Sequence, residues 1–161
     1  MKYTTLDSNL FIRNRELLSR KLDNKSIAIF NSNDVMPTNS DGTMPFKQNS
    51  DLFWLTSVDQ EESVFVMIKH NDLIKEILFL KETNEHIAIW EGAKLTKDKA
   101  NKNSGIQQVY WLTEMEKIIH NEIIGLEKIY LNKNMHSRST SEVQTRDDRF
   151  RETMMSQFPN K

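Results

Sequence analysis

The sequence predicts an α/β domain: a mixed sheet of about six strands with about three or four helices packed on it. Segments with helical apolar spacing alternate with short runs rich in β-branched and aromatic residues. Two of those runs, residues 63–68 and 74–80, flank His70-Asn71-Asp72, which is good turn chemistry, so they form a hairpin and bring antiparallel pairing into the sheet. The chain has 161 residues, 37% of them in the AVILMFWYC set, which is enough for one ordinary core.

The elements follow in order. Residues 8–22 read as an amphipathic helix with Leu10, Phe11, Leu17, Leu18 and Leu22 on one side and Arg13, Arg15, Glu16, Arg20 and Lys21 on the other. Asp7 or Ser8 can cap its start. Ser26-Ile27-Ala28-Ile29-Phe30 is a short buried strand. Residues 31–49 hold Pro37, Gly42 and Pro45 and little apolar content, so they form a long loop of the kind that usually carries function. Leu52-Phe53-Trp54-Leu55-Thr56 has strand character, and the acidic turn Asp59-Gln60-Glu61-Glu62 leads into the hairpin. Ile87-Ala88-Ile89-Trp90 is a short apolar segment ending at the turn glycine Gly92. Thr96 can cap a helix over 97–103, which Gly105 can terminate. A strand over 106–112 precedes a capping box at Thr113 and Glu116, and Met115, Ile118, Ile119 and Ile123 form the apolar stripe of the helix it opens. Lys128-Ile129-Tyr130-Leu131 is the final short strand. A second capping box, over 139–142, opens a charged helix running to Gln157 on which Val143, Phe150, Met154 and Phe158 share a face.

Composition narrows the function. Lys and Arg total 22 against 23 Asp and Glu, a net charge of −1 that lacks the basic field nucleic-acid binding requires. With no cysteine, there can be no disulfide, thiolate metal site or cysteine nucleophile. The longest apolar stretch, Val64 to Ile68, is far short of a membrane span, and the N-terminus has no apolar signal core. A cytoplasmic protein without a nucleic-acid or membrane partner is expected. His70, His86, His120 and His136 show no metal-binding spacing. Glu116 and His120 lie one helical turn apart but read as the wet face of their helix. Asp59, Glu61 and Glu62 lack the donor pattern of a calcium loop and read as a solvated turn. No phosphate loop or nucleophile elbow is present. Two features stand out. The polar loop Phe46-Lys47-Gln48-Asn49-Ser50-Asp51 can lock its own backbone and feeds directly into an aromatic run. Trp90, beside Gly92, is a large amphipathic contact residue.

At these residues the chain resembles a known family. F-K-Q-N-S-D-L-F-W-L-T-S, Phe46 to Ser57, resembles the F-R-Q-N-S-D-F-x-Y-L-T-G signature of aminopeptidase P, in the N-terminal domain of Xaa-Pro aminopeptidases, a group that includes prolidase and creatinase. Arg13 and Arg15 in the first helix, the hairpin, Ile89-Trp90-Glu91-Gly92 and Gly105-Ile106 agree in order, over about Leu6 to Leu131. Lys47 stands where the family usually has Arg, and Ser57 where it has Gly. The resemblance implies a six-stranded mixed sheet flanked by helices, the creatinase N-terminal or ribonuclease H-like fold. It also implies an N-terminal domain over 1–135 and a charged helix over 136–161 leading to a linker. Two divalent metal ions, manganese by family habit, would be held by two Asp, one His and two Glu of a following pita-bread catalytic domain. This chain would then contribute no catalytic and no metal-ligating residue and would be inactive alone. The implied activity of the full-length hydrolase is release of the N-terminal residue from a peptide with proline second. Trp90 is the implied substrate-binding residue, matching a Trp that reaches a neighbouring subunit's active site in tetrameric relatives, so a homo-oligomer, dimer or tetramer, is expected. The Phe46–Asp51 loop would help seat the domain on its partner. The alternative is a stand-alone peptide- or protein-binding module of the same fold without peptidase activity.

Overall fold

A computed structural model describes residues 6–139 and 143–161. The chain forms a mixed sheet with helices on both faces. The strands are β1 (Ser26–Asn31), β2 (Val64–His70), β3 (Leu73–Leu80), β4 (Gln108–Trp111) and β5 (Lys128–Leu131). The helices are α1 (Ser8–Ser19), α2 (Ser50–Thr56), α3 (Glu85–Glu91), α4 (Lys97–Ser104), α5 (Met115–Glu122) and α6 (Arg146–Gln157). The sheet order is β4-β3-β2-β1-β5. The pairs β1–β2 and β2–β3 are antiparallel, and β1–β5 and β3–β4 are parallel. No helix among the described residues is long and apolar enough to cross a membrane.

Alternation along the central strands builds two cores. Ile27 and Ile29 of β1, Val64, Val66 and Ile68 of β2, and Ile77 and Phe79 of β3 face one side, under Ile119 and Ile123 from α5 and Met154 from α6. Ala28, Phe65, Met67, Leu78 and Leu80 face the other, under Leu52 and Leu55 from α2 and Ala100 from α4. Burial on both faces is why these strands read as continuous apolar runs. The hairpin forms as expected, with His70 opposite Leu73 and positive φ at Asn71 (52°) and Asp72 (60°), the geometry of a type I′ turn.

The α/β class and the mixed sheet stand, but the sheet has five strands, not six. The missing strand is the aromatic run, which is helix α2. Asn49 decides this: its Oδ1 accepts from the Asp51 and Leu52 amides (3.0 and 3.3 Å), and Asp51 sits favourably in the first turn. Leu52, Leu55 and Thr56 then fall on one buried helical face, whereas a short apolar run carries no period that separates strand from helix.

Smaller corrections have similar local causes. Ile87-Ala88-Ile89-Trp90 lies inside α3, capped by Asn84, whose Oδ1 accepts from the Ile87 amide at 2.9 Å. The turn opening α5 is a 3-10 turn over Leu112–Glu114, with Glu114 rather than Glu116 reaching back to the Trp111 amide at 2.9 Å. Helix α6 begins at Arg146, behind a reciprocal box of Thr145 and Asp148. The box read over 139–142 falls partly outside the described residues. In α1 the buried face is Phe11, Asn14 and Arg15, while Leu10 and Leu17 are exposed.

Ser57 ends α2 in the left-handed region (φ 63°, ψ 6°), with its amide donating to Phe53 O at 2.8 Å. A Cβ is disfavoured there, so Ser57→Gly is expected to stabilise the domain by about 1 kcal/mol. Chemical denaturation measures this directly, and an unchanged or lowered midpoint would show that the serine bears no strain.

Candidate functional site

The cleft formed around the signature loop lies outside the carboxyl ends of the parallel neighbours β1 and β5, where open α/β sheets place their sites. Its volume is about 1040 Å³. One wall is the loop after β1, the other the segment after β5, and the N-terminal turn of α6 closes the floor. Exposed Met36, Met44 and Met135 stand around it.

The loop's polar residues are engaged in building it. Gln48, buried, donates from Nε2 to Val58 O (3.0 Å) and Gln60 O (2.8 Å) and accepts the Asn49 amide at Oε1 (2.7 Å). Asn49 caps α2 with its oxygen and turns its amide towards Asp147 Oδ2 at 3.4 Å. Asn31 Nδ2 donates to the other oxygen of Asp147 at 3.2 Å. Burial pushes the Asp147 carboxyl above its ordinary value, against the pull of the Asn31 hydrogen bond. Arg146, lowered by burial, donates to Ser32 Oγ at 3.1 Å, and Arg149 pairs with Asp34 at 2.6 Å. Asp148 is lowered to about 2 by bonds from the Thr145 hydroxyl, Arg151 and the Thr145 amide. Lys47 is exposed, and its carbonyl accepts from Asn33 Nδ2 at 3.0 Å. Asp34, Arg146, Asp147, Asp148 and Arg149 are therefore tied to one another, to the end of β1 or to the loop. This arrangement positions α6 and α2 on the end of β1.

Trp90 lies elsewhere, on α3, with 80% of its surface exposed beside Ile89 at 74%. It is not part of the cleft wall. The two features meet through the turn at 59–62, which is not the solvated turn its composition suggests. Gln60 is buried, its carbonyl holds Gln48, and its Oε1 accepts the Leu95 amide at 2.7 Å. Glu61 pairs with Lys94, and Glu62 with Lys81 at 3.3 Å. Sequence reasoning missed this bracket because its cations lie far along the chain, at no fixed spacing. Among the described residues, no group of three or more His, Cys, Asp or Glu could hold a metal ion. Glu116 and His120 are both exposed on α5.

Sequence and structure comparisons bear on this arrangement. The sequence model of the aminopeptidase P N-terminal domain matches residues 11–130. The Xaa-Pro aminopeptidase of Escherichia coli K12 is 26% identical over 121 residues, covering 74% of this chain and 27% of that protein. Xaa-Pro aminopeptidase 3 of Dictyostelium discoideum is 33% identical over 72 residues, 44% of this chain and 14% of its own. A structure reported as aminopeptidase P from Bacillus anthracis superposes with a TM-score of 0.87 at 24% identity, covering 96% of this chain and 37% of that one. E. coli aminopeptidase P with the inhibitor Pro-Leu gives 0.75 at 24%, covering 83% and 31%. The structural likenesses establish the fold, and the chain spans about a quarter of the first curated relative's length.

Proposed function

The chain belongs to the aminopeptidase P N-terminal domain family, and from that premise we propose that it is the non-catalytic N-terminal part of a metal-dependent Xaa-Pro aminopeptidase. The observation carrying this reading is the family match over residues 11–130, which takes in both the signature loop and Trp90. In this reading a following pita-bread domain holds two divalent ions, manganese in kind, and cleaves the bond before a proline at the second position of the peptide. The present chain shapes the cleft over that site and carries oligomer contacts, in a cytoplasmic dimer or tetramer. The proposed domain division is 1–135 for the sheet and its helices and 136–161 for the segment leading onward. Trp90 is proposed to meet the peptide in a neighbouring subunit's active site. Its support is physical as well as familial: a Trp and an Ile held this far out of the core cost solvent exposure with no packing return, as expected of a contact residue.

The test compares the 161-residue chain with the same protein carrying the ligand-bearing domain, using manganese and a Xaa-Pro peptide. No amino acid should be released by the chain alone, because without metal ligands no hydroxide is generated. Manganese-dependent turnover by the chain alone would overturn the reading. In the complete enzyme, Trp90→Ala should lower kcat/KM about tenfold, a loss of about 1.4 kcal/mol in the transition state, while leaving Tm nearly unmoved. A fall in Tm without a fall in kcat/KM would make Trp90 a packing residue.

A further inference from the structure

Helix α3 is attached unlike the other helices. None of its residues is buried, and it contributes to neither core cluster. An α-helix of seven residues has no stability of its own in water and normally borrows it from an apolar face laid on the core. That support is thin here, with only Ile87 and Ala88 half-buried, so packing does little to set the direction in which Trp90 points.

The attachments it does have are polar. Asn84 caps its start. At its end, Lys81 Nζ lies 2.8 Å from Glu91 Oε2 and 3.3 Å from Glu62 Oε1. Lys81 directly follows Leu80, the fully buried last residue of β3, so the sheet fixes its backbone. Glu62 belongs to the bracketing turn just ahead of β2. Beyond Gly92 the chain is fastened to the same turn, through Lys94 to Glu61 and the Leu95 amide to Gln60 Oε1. The whole Trp90 arm thus hangs from the 60–62 turn, and Lys81 is the one described side chain that joins α3 itself to it by an ion pair. Exposed ion pairs add little to global stability. They can still decide the orientation of an arm that has few other contacts.

We infer that Lys81 is the positioning residue for Trp90: its ammonium, shared between Glu62 beside the sheet and Glu91 on α3, sets the angle at which the arm presents the indole to a peptide. The inference rests on the role proposed for Trp90, but the mechanical part of it can be tested apart from that role.

In the 161-residue chain, Lys81→Met should speed amide exchange over residues 86–91 by roughly threefold or more, while β1 and β2 keep their protection and Tm holds. Lys81→Arg should restore slow exchange. Added salt should bring the wild-type arm towards the Lys81→Met level and leave that variant unmoved. In the complete enzyme, Lys81→Met should lower kcat/KM roughly threefold, and combining it with Trp90→Ala should bring no loss beyond that of Trp90→Ala alone. Unchanged exchange in α3, or additive losses in the double variant, would overturn the inference. If Trp90→Ala cost nothing, the role proposed for Trp90 would fall, and the exchange data would still decide whether Lys81 holds the arm.

Discussion

Replacing Arg15 with methionine is expected to destabilise the domain by about 3–5 kcal/mol, the largest loss expected from any exchange of a charged residue here. Arg15 is only 1% exposed and lies in the middle of α1. Its Nη1 donates to Leu55 O at 2.8 Å and Ser104 O at 2.9 Å, carbonyls in the last turns of α2 and α4. Those are helix ends whose carbonyls have no partner within the helix, and they carry partial negative charge. Its Nε lies 2.9 Å from Glu76 Oε2 on β3, an ion pair off hydrogen-bond geometry. One side chain therefore joins three helices and the sheet. Burial lowers the guanidinium from its ordinary value, and Glu76 offsets part of that cost. Methionine fills much of the volume but leaves two carbonyls without a donor and a carboxylate without its cation. Lysine keeps the charge and loses the fork, so Arg15→Lys should lie between wild type and Arg15→Met. At 2–4 °C per kcal/mol, Tm should fall by about 10 °C in Arg15→Met. Adding Glu76→Gln to it should recover part of the loss, since the orphaned carboxylate is then gone. A loss under about 1 kcal/mol would mean that the apolar contacts of α1 hold it without Arg15.

Arg15 also marks where sequence reading stops. Helical spacing places it opposite Leu10 and Leu17, and hydrophobicity assigns the leucines to the core. The reverse holds, because the groups awaiting α1 include two bare carbonyls that only a donor can satisfy, and these come from residues 40 and 89 positions away. The hairpin was legible because its turn chemistry and both apolar runs are contiguous. Helix α2 was not, since four apolar and aromatic residues followed by a threonine suit either structure and the deciding group is the Asn49 side chain just outside the run. Of the site, the loop and Trp90 could be singled out, because polar residues before an aromatic run and a Trp beside Gly92 are local patterns. The bracket joining them could not, since Gln60, Glu61 and Glu62 find their partners at 81, 94 and 95.

Gly105→Ala is expected to cost about 2–4 kcal/mol, the sum of a backbone and a packing effect. Gly105 closes α4 with φ +77°, and its amide donates to Asn101 O at 2.7 Å. An alanine in that left-handed cap loses about 1–2 kcal/mol on conformation alone. Its Cβ would also sit 2.8 Å from Ile12 Cδ1 and 2.9 Å from Ile12 Cγ1, so the Ile12 side chain or α1 itself must shift, just where Arg15 binds the end of α4. Gly125 separates the two contributions. It too has positive φ, +81°, but a Cβ there would meet nothing within 4 Å. Gly125→Ala should therefore show the conformational cost alone, and the excess at Gly105 measures the contact with Ile12. Truncating Ile12 to alanine removes both crowding carbons, so in that background Gly105→Ala should cost no more than Gly125→Ala does in the wild type. Equal losses at the two glycines in the wild-type background would mean that Ile12 swings clear, and that α1 and α4 are joined through the Arg15 guanidinium rather than through close packing.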